Sequence, residues 1–415
     1  MRKLSLYIAI IMCFCDFSKA QQVNSTVYNE YAFVYYEYDK TTPDPSDNTY
    51  SKRPFYASRI INYFPEQLTN PEKKKRHSYS QFGYIFPMRE FIVPGNFGKH
   101  SYGQPDRGEK NGCIYTCKGG FIDFSHLRVA LDWTVYLTFR MITEEGNFDL
   151  PPEAGRLELH FKNTEKLNLE DISTLAQKIA FERLLWHEVA SWHYHRPHHF
   201  FSEQLSAFTP EDLYSNFVGT VIGKKVALHL LNNTEGLSYS EVANEEIEKY
   251  ILSLEPLPDK KGTIKAYKIV DFTRQQKLPE VERNNDVWWE SSIIFIDQRY
   301  VFKRYMDIGP QLKPWLVPAA ETLGCQAYPD EEILKIPQKT KAGKLLNNYY
   351  EFRISPDKKL FTSTGPQKHR HPPFEPFLTR DFEEIVEHVG KQMEGVLGKN
   401  YDKRNKSVTI AGKQH

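Results

Sequence analysis

Asp123 and His126 stand three residues apart in the segment CIYTCKGGFIDFSHLRVALDW, where Phe121, Ile122, Phe124, Leu127, Val129, Ala130, Leu131 and Trp133 supply the apolar surroundings. At helical spacing the two polar residues share a face, and apolar positions around nearly the whole circumference predict that this face is buried. A carboxylate and an imidazole so placed orient one another, ligate a metal, or work as a base with its supporting carboxylate. The plainer alternative is a satisfied core pair in which Asp123 accepts the His126 proton. Arg128 and Asp132, four apart, read more simply as a structural ion pair.

Two further segments carry ionisable groups where a helical core should be apolar. In FERLLWHEVASWH, Glu188 falls between Phe181, Leu184 and Trp192 in mid-stripe, and His187 sits on the shoulder near Ser191. The zinc-peptidase helix needs a second histidine four residues after the first, and position 191 is Ser, so any metal must be assembled from separate helices. In FSEQLSAFTPEDLYSN and the residues after it, Asp212, Ser215, Asn216, Gly219 and Gly223 align on one side of a helix. The two glycines admit a close neighbour, which presses Asn216 against it. Asp212 equally suits a capping box with Thr209. His193, His195, His198 and His199 around Pro197 form either a metal cluster or a solvated loop, the second being the simpler reading.

Burying such groups costs several kcal/mol each unless they are neutralised, hydrogen-bonded or metal-bound. The leading expectation is a metal-assisted hydrolase in which Asp123, His126, His187 and Asp212 hold a divalent transition metal such as zinc. Glu188, Ser191 and Asn216 take the catalytic roles, with Glu188 as a general base whose pKa burial raises. A non-catalytic protein whose polar cluster is a closed structural network is the second reading. A cysteine hydrolase or transferase using Cys117, just ahead of Gly119-Gly120 and a helix start, is the third. A disulfide between Cys113 and Cys117, close enough in sequence to pair across a loop, would remove that third reading.

The elements that must position these residues are legible in outline. A helix is expected from Gly120 to about Met141, a strand over Gly155 to Lys162, a helix from about Glu170 to His195 capped by Asn168, and another from Pro210 to about Asn232. A short helix over Glu241 to Ser253 leads into β-like stretches at Gly262 to Phe272, Trp288 to Arg304 and Tyr349 to Ile354, and a last helix follows Thr379. The fold class is α+β, a buried helical core over about 120–232 with a smaller β-containing C-terminal half. Four regions follow: 1–20, an irregular arm over 21–80, the main domain over 81–355, and 356–415 as linker plus C-terminal helix.

Residues 1–20 have the three-part grammar of a secretory signal peptide, with Met1-Arg2-Lys3, the apolar run Leu4 to Cys15, and Ser18-Lys19-Ala20 before an expected mature start at Gln21. No later run is long enough to span a membrane. Export leaves Cys113, Cys117 and Cys325 of the five cysteines, enough for one disulfide and one thiol. A net charge of +1, from 54 basic and 53 acidic residues, gives no electrostatic case for nucleic acid as a partner.

The ordered motifs YTCKGGFIDFSHLR, WHEVASW and FSEQLSAFTPEDLYSN, with the later DIGP and KPWLVP, resemble a bacterial family of exported proteins known as domain of unknown function 4056. The resemblance spans roughly 84–355 and transfers no reaction. It implies a periplasmic or envelope setting, an envelope component as the partner to expect, and a shared site drawn from Asp123, His126, His187, Glu188, Ser191, Glu203, Asp212 and Asn216.

Overall fold

The computed structural model describes residues 91–102, 108–143, 147–150, 152–162, 164, 167–192, 210–232, 236–266, parts of 311–326, 332–356 and 377–378. The expected signal peptide, N-terminal arm, His-rich stretch, the strand at Trp288 to Arg304 and the helix after Thr379 lie outside the described residues, as does Glu203.

A tight antiparallel hairpin opens the site region. Strand β1 (Cys113–Thr116) pairs with β2 (Gly120–Asp123) in the register Cys113↔Asp123 to Thr116↔Gly120. Gly120 takes φ 65°, a conformation that costs glycine little, and so lets the chain reverse here. The helix expected from Gly120 therefore begins later: α1 is Phe124–Thr143, and Phe121 and Ile122 are strand residues facing Tyr115 and Ile114. Asp123 marks the change from strand to helix, its Oδ1 accepting the Ser125 N–H at 2.7 Å.

Strands β3 (Phe148–Leu150) and β4 (Gly155–Phe161) follow, then α2 (Leu169–Trp192), α3 (Pro210–Leu231) and α4 (Tyr239–Ser253). The expected Asn168 cap on α2 is present, with its Oδ1 2.9 Å from the Asp171 N–H. The chain then passes through the short pair β5 (Gln311–Leu312) and β6 (Leu334–Lys335) to β7 (Tyr350–Pro356) and β8 (Phe377–Leu378). The larger sheet has the antiparallel order β3-β4-β7-β8, so strands from between the first two helices join strands from the C-terminal half. Residues 260–266 are helical where a strand was expected from Gly262. Asp259 Oδ1 accepts the Gly262 N–H at 2.8 Å, and that N-terminal cap outweighs the β propensity of the following residues.

The core is the stack of α1, α2 and α3. A Cβ on Gly219 would lie 2.1 Å from the Leu127 carbonyl oxygen, and one on Gly223 2.7 Å from that of Leu131. Because contacting residue numbers rise together, α1 and α3 run parallel and nearly touch backbone to backbone. Helix α2 runs the other way: the Arg183 guanidinium covers the Trp133 ring at 4.6 Å, and Phe181 meets Phe217 edge-on at 5.2 Å. Two buried polar knots fasten this stack to its surroundings. His100, Asp132 and Tyr239 join residues 91–102 to α1 and α4, with His100 Nε2 2.9 Å from Asp132 Oδ1. Lys178, Glu182 and Tyr350 join α2 to β7, the Tyr350 hydroxyl donating to Glu182 at 2.6 Å. Arg128 donates to the carbonyls of Phe97 and Lys110. No helix of the described residues is long and apolar enough to cross a membrane.

The cysteines pair differently from the local expectation. Cys117 is bonded to Cys325, and the buried Cys113 stays outside that bond as a thiol. Cys113 opens an extended strand, and four residues at about 3.3 Å each carry its Cα well past the roughly 7 Å limit for a bridge. The disulfide consumes the Cys117 sulfur, so the cysteine-nucleophile reading falls.

Candidate metal centre

Helix direction decides what meets at the site. Parallel α1 and α3 bring their N-terminal turns to one end of the stack, and antiparallel α2 brings its C-terminal turn there. Asp123 lies at the end of β2, His126 on the first turn of α1, Asp212 on the first turn of α3, and Glu188 on the last turns of α2. His126 Nδ1 is 3.0 Å from Asp123 Oδ2 and 3.2 Å from Asp212 Oδ1. Its other nitrogen, Nε2, is 4.0 Å from Glu188 Oε1. All four side chains are buried, at 6% exposure or less.

Local structure holds these groups in place. The Asp123 N–H donates to Ser215 Oγ at 2.8 Å, which ties the end of the hairpin to α3 beside Asp212. Both aspartates sit at helix N-termini, where the aligned peptide dipoles favour negative charge. Even so, one imidazole nitrogen carries at most one proton and faces two carboxylates. Among the described residues, the buried Asp212 Oδ1 accepts no hydrogen bond. That crowding of acceptors on one nitrogen is awkward for a closed network and suits a cation.

The spacing also fits one. Bonds of about 2.0–2.2 Å to a central ion place neighbouring ligand atoms about 2.8–3.6 Å apart in octahedral or tetrahedral geometry. The observed 3.0 and 3.2 Å fall in that window, and all three ligand atoms lie within 4.8 Å of one another. Among the described residues, Asp123, His126 and Asp212 are the group that can share one ion. One nitrogen and two oxygens suit zinc, manganese or ferrous iron, and three protein ligands leave positions for water or substrate, as catalytic sites do.

His187 is not brought into this group. Adjacent helical residues point about 100° apart, and while Glu188 turns toward His126, His187 Nδ1 meets Glu153 Oε1 at 2.5 Å. Glu153 also pairs with Arg183, and its carbonyl accepts the Trp186 indole N–H at 2.8 Å. Next to it, Ala154 adopts φ 51°, an unfavourable value for a residue with a Cβ. Asn216 is buried on α3, one turn beyond Asp212. Ser191 lies within α2, and its side chain is outside the described residues.

Sequence reasoning missed Glu153 and gave Ser215 no role. Glu153 belongs to a short Pro-containing break with no hydrophobic period to mark it, so no local signal could have found it. Ser215 shares the helical face of Asp212 and Asn216, and that alignment was a usable signal.

Residues 95–318, more than half of the chain, match the family model described as a protein of unknown function, DUF4056. The chain belongs to that family. The match is narrower than the 84–355 expected from the motifs, yet it holds Asp123, His126, Glu188 and Asp212 together with the whole of α1, α2 and α3. No curated protein and no solved structure matches this DUF4056 member.

Proposed function

We propose that this DUF4056 protein is a divalent-metal-dependent hydrolase whose ion is held by Asp123, His126 and Asp212. The observation that carries the reading is the convergence of two buried carboxylates on the single nitrogen His126 Nδ1, at 3.0 and 3.2 Å. A divalent ion there would polarise a carbonyl or phosphoryl oxygen and make bound water acidic enough to react near neutral pH. The chain's own contribution is to fix the ligands on three rigid elements and keep bulk water away, since neighbouring α1 and α3 positions are fully buried. With the signal-peptide-like start, substrates are expected among components of the bacterial envelope, in the periplasm or at its surface.

The test is elemental analysis by mass spectrometry of protein purified from a periplasmic host without chelator or affinity-tag metal. Near-stoichiometric zinc, manganese or iron that is lost in His126→Ala and kept in His187→Ala supports the reading. Protein that holds no ion on titration with each of the three overturns it. In that outcome the cluster is structural, a reading favoured by the way Asp123 already caps α1 and anchors Ser215.

A further inference from the structure

We infer that Glu188 is a positioning residue for His126, holding the ring so that Nδ1 faces the ion, rather than the general base its place in the sequence suggests. The inference rests on the metal reading above and deepens it. A neutral imidazole has one protonated nitrogen and one lone pair. His126 Nδ1 is the atom that both aspartates face, so a ring that ligates here does so through Nδ1 and must carry its proton on Nε2. A buried N–H requires an acceptor. The Glu188 carboxylate faces Nε2 at 4.0 Å, about 1 Å beyond a hydrogen bond, a gap that a side-chain torsion or one bridging water closes.

The same geometry explains why a glutamate stands in mid-stripe of α2, among Phe181, Leu184 and Leu185. Antiparallel packing sets residue 188 level with residue 126. A side chain reaching from the C-terminal end of α2 addresses the edge of the ring that points away from both aspartates. A carboxylate behind a metal-bound imidazole fixes the tautomer and raises ligand basicity, and its loss typically weakens metal binding about 10–100-fold.

The experiment is chelator competition with zinc on the full mature chain, comparing wild type with Glu188→Gln, Glu188→Ala and His126→Ala, each checked for a cooperative thermal unfolding transition. The expected result is a 10- to 100-fold loss of zinc affinity in Glu188→Ala, a smaller loss in the isosteric Glu188→Gln, whose amide oxygen still accepts from Nε2, and no binding in His126→Ala. Nitrogen-15 NMR of the zinc-loaded wild type should show His126 protonated at Nε2. Equal affinity in wild type and both Glu188 variants, or a ring protonated at Nδ1, overturns the assignment and leaves the metal site standing. A wild type that binds no zinc, manganese or iron removes the metal site and this assignment together.

Discussion

At the scale of single residues, the arrangement around His126 makes a prediction that separates charge from packing. Two carboxylates face one nitrogen, so without a metal the pair carries like-charge repulsion that the helix dipoles offset only in part. Asp212→Asn should abolish metal binding while leaving the melting temperature of the metal-free protein equal to or above that of metal-free wild type. A large drop would mean that Asp212 is a structural anchor. The His100 knot behaves oppositely. His100 Nε2 is 2.9 Å from Asp132 Oδ1 inside the core, so His100→Ala leaves a buried carboxylate short of a partner. It should lower the unfolding free energy by about 3–5 kcal/mol, read by denaturant titration, with metal content unchanged. Asp123, His126 and Glu188 were legible as misplaced polar residues because each interrupts a local apolar period. His100 and Glu153 were not, because they lie in stretches without one.

At the scale of elements, the site depends on how closely α1 and α3 approach. Gly219 has no room for a Cβ, which would fall 2.1 Å from a backbone oxygen of α1 that cannot swing aside. Gly219→Ala should therefore force the helices apart, lowering stability by about 1–3 kcal/mol and loosening the distance between Asp212 and His126. Metal affinity and the melting temperature should fall together. A Gly219→Ala protein with unchanged metal affinity would show that the site does not rely on this contact. Helix α4 offers a milder test, since Ser238 and Glu241 form a complete capping box. The Glu241 carboxyl is held below its ordinary value by the Ser238 hydroxyl and N–H. A depressed folded-state pKa stabilises above the unfolded value, so this contribution is present at neutral pH and fades as the pH falls through the acid range. Ser238→Ala should lower the melting temperature at neutral pH and by less in acid, read by thermal unfolding at the two pH values. The helices were largely readable because caps and a 3.6-residue period are local. The hairpin was not, because Phe121 and Ile122 fit a helix and a strand equally until β1 is available to pair with.

At the scale of the whole molecule, the bond from Cys117 to Cys325 closes a loop of sequence separation 208 and ties the turn of the site hairpin to the C-terminal segments. Other links run alongside it: the Glu332 N–H donates to the Lys118 carbonyl at 3.1 Å, and the Tyr214 hydroxyl, two residues past Asp212, donates to the Glu332 carbonyl at 2.7 Å. Cys325→Ser should reduce stability by about 2–5 kcal/mol, measured against wild type in denaturant. Since Ser215 still anchors Asp123, metal affinity should survive; its loss would mean that the disulfide itself holds the site in register. From the sequence alone came the α+β class, the three core helices, the membership motifs and the set of buried polar residues from which a site could be built, all of them properties of local pattern and composition. Which of those residues meet was decided only in three dimensions. The direction and level of packed helices put Asp212 and Glu188 on opposite edges of the His126 ring and turned His187 to Glu153, and the long-range course of the chain gave Cys117 its partner in Cys325.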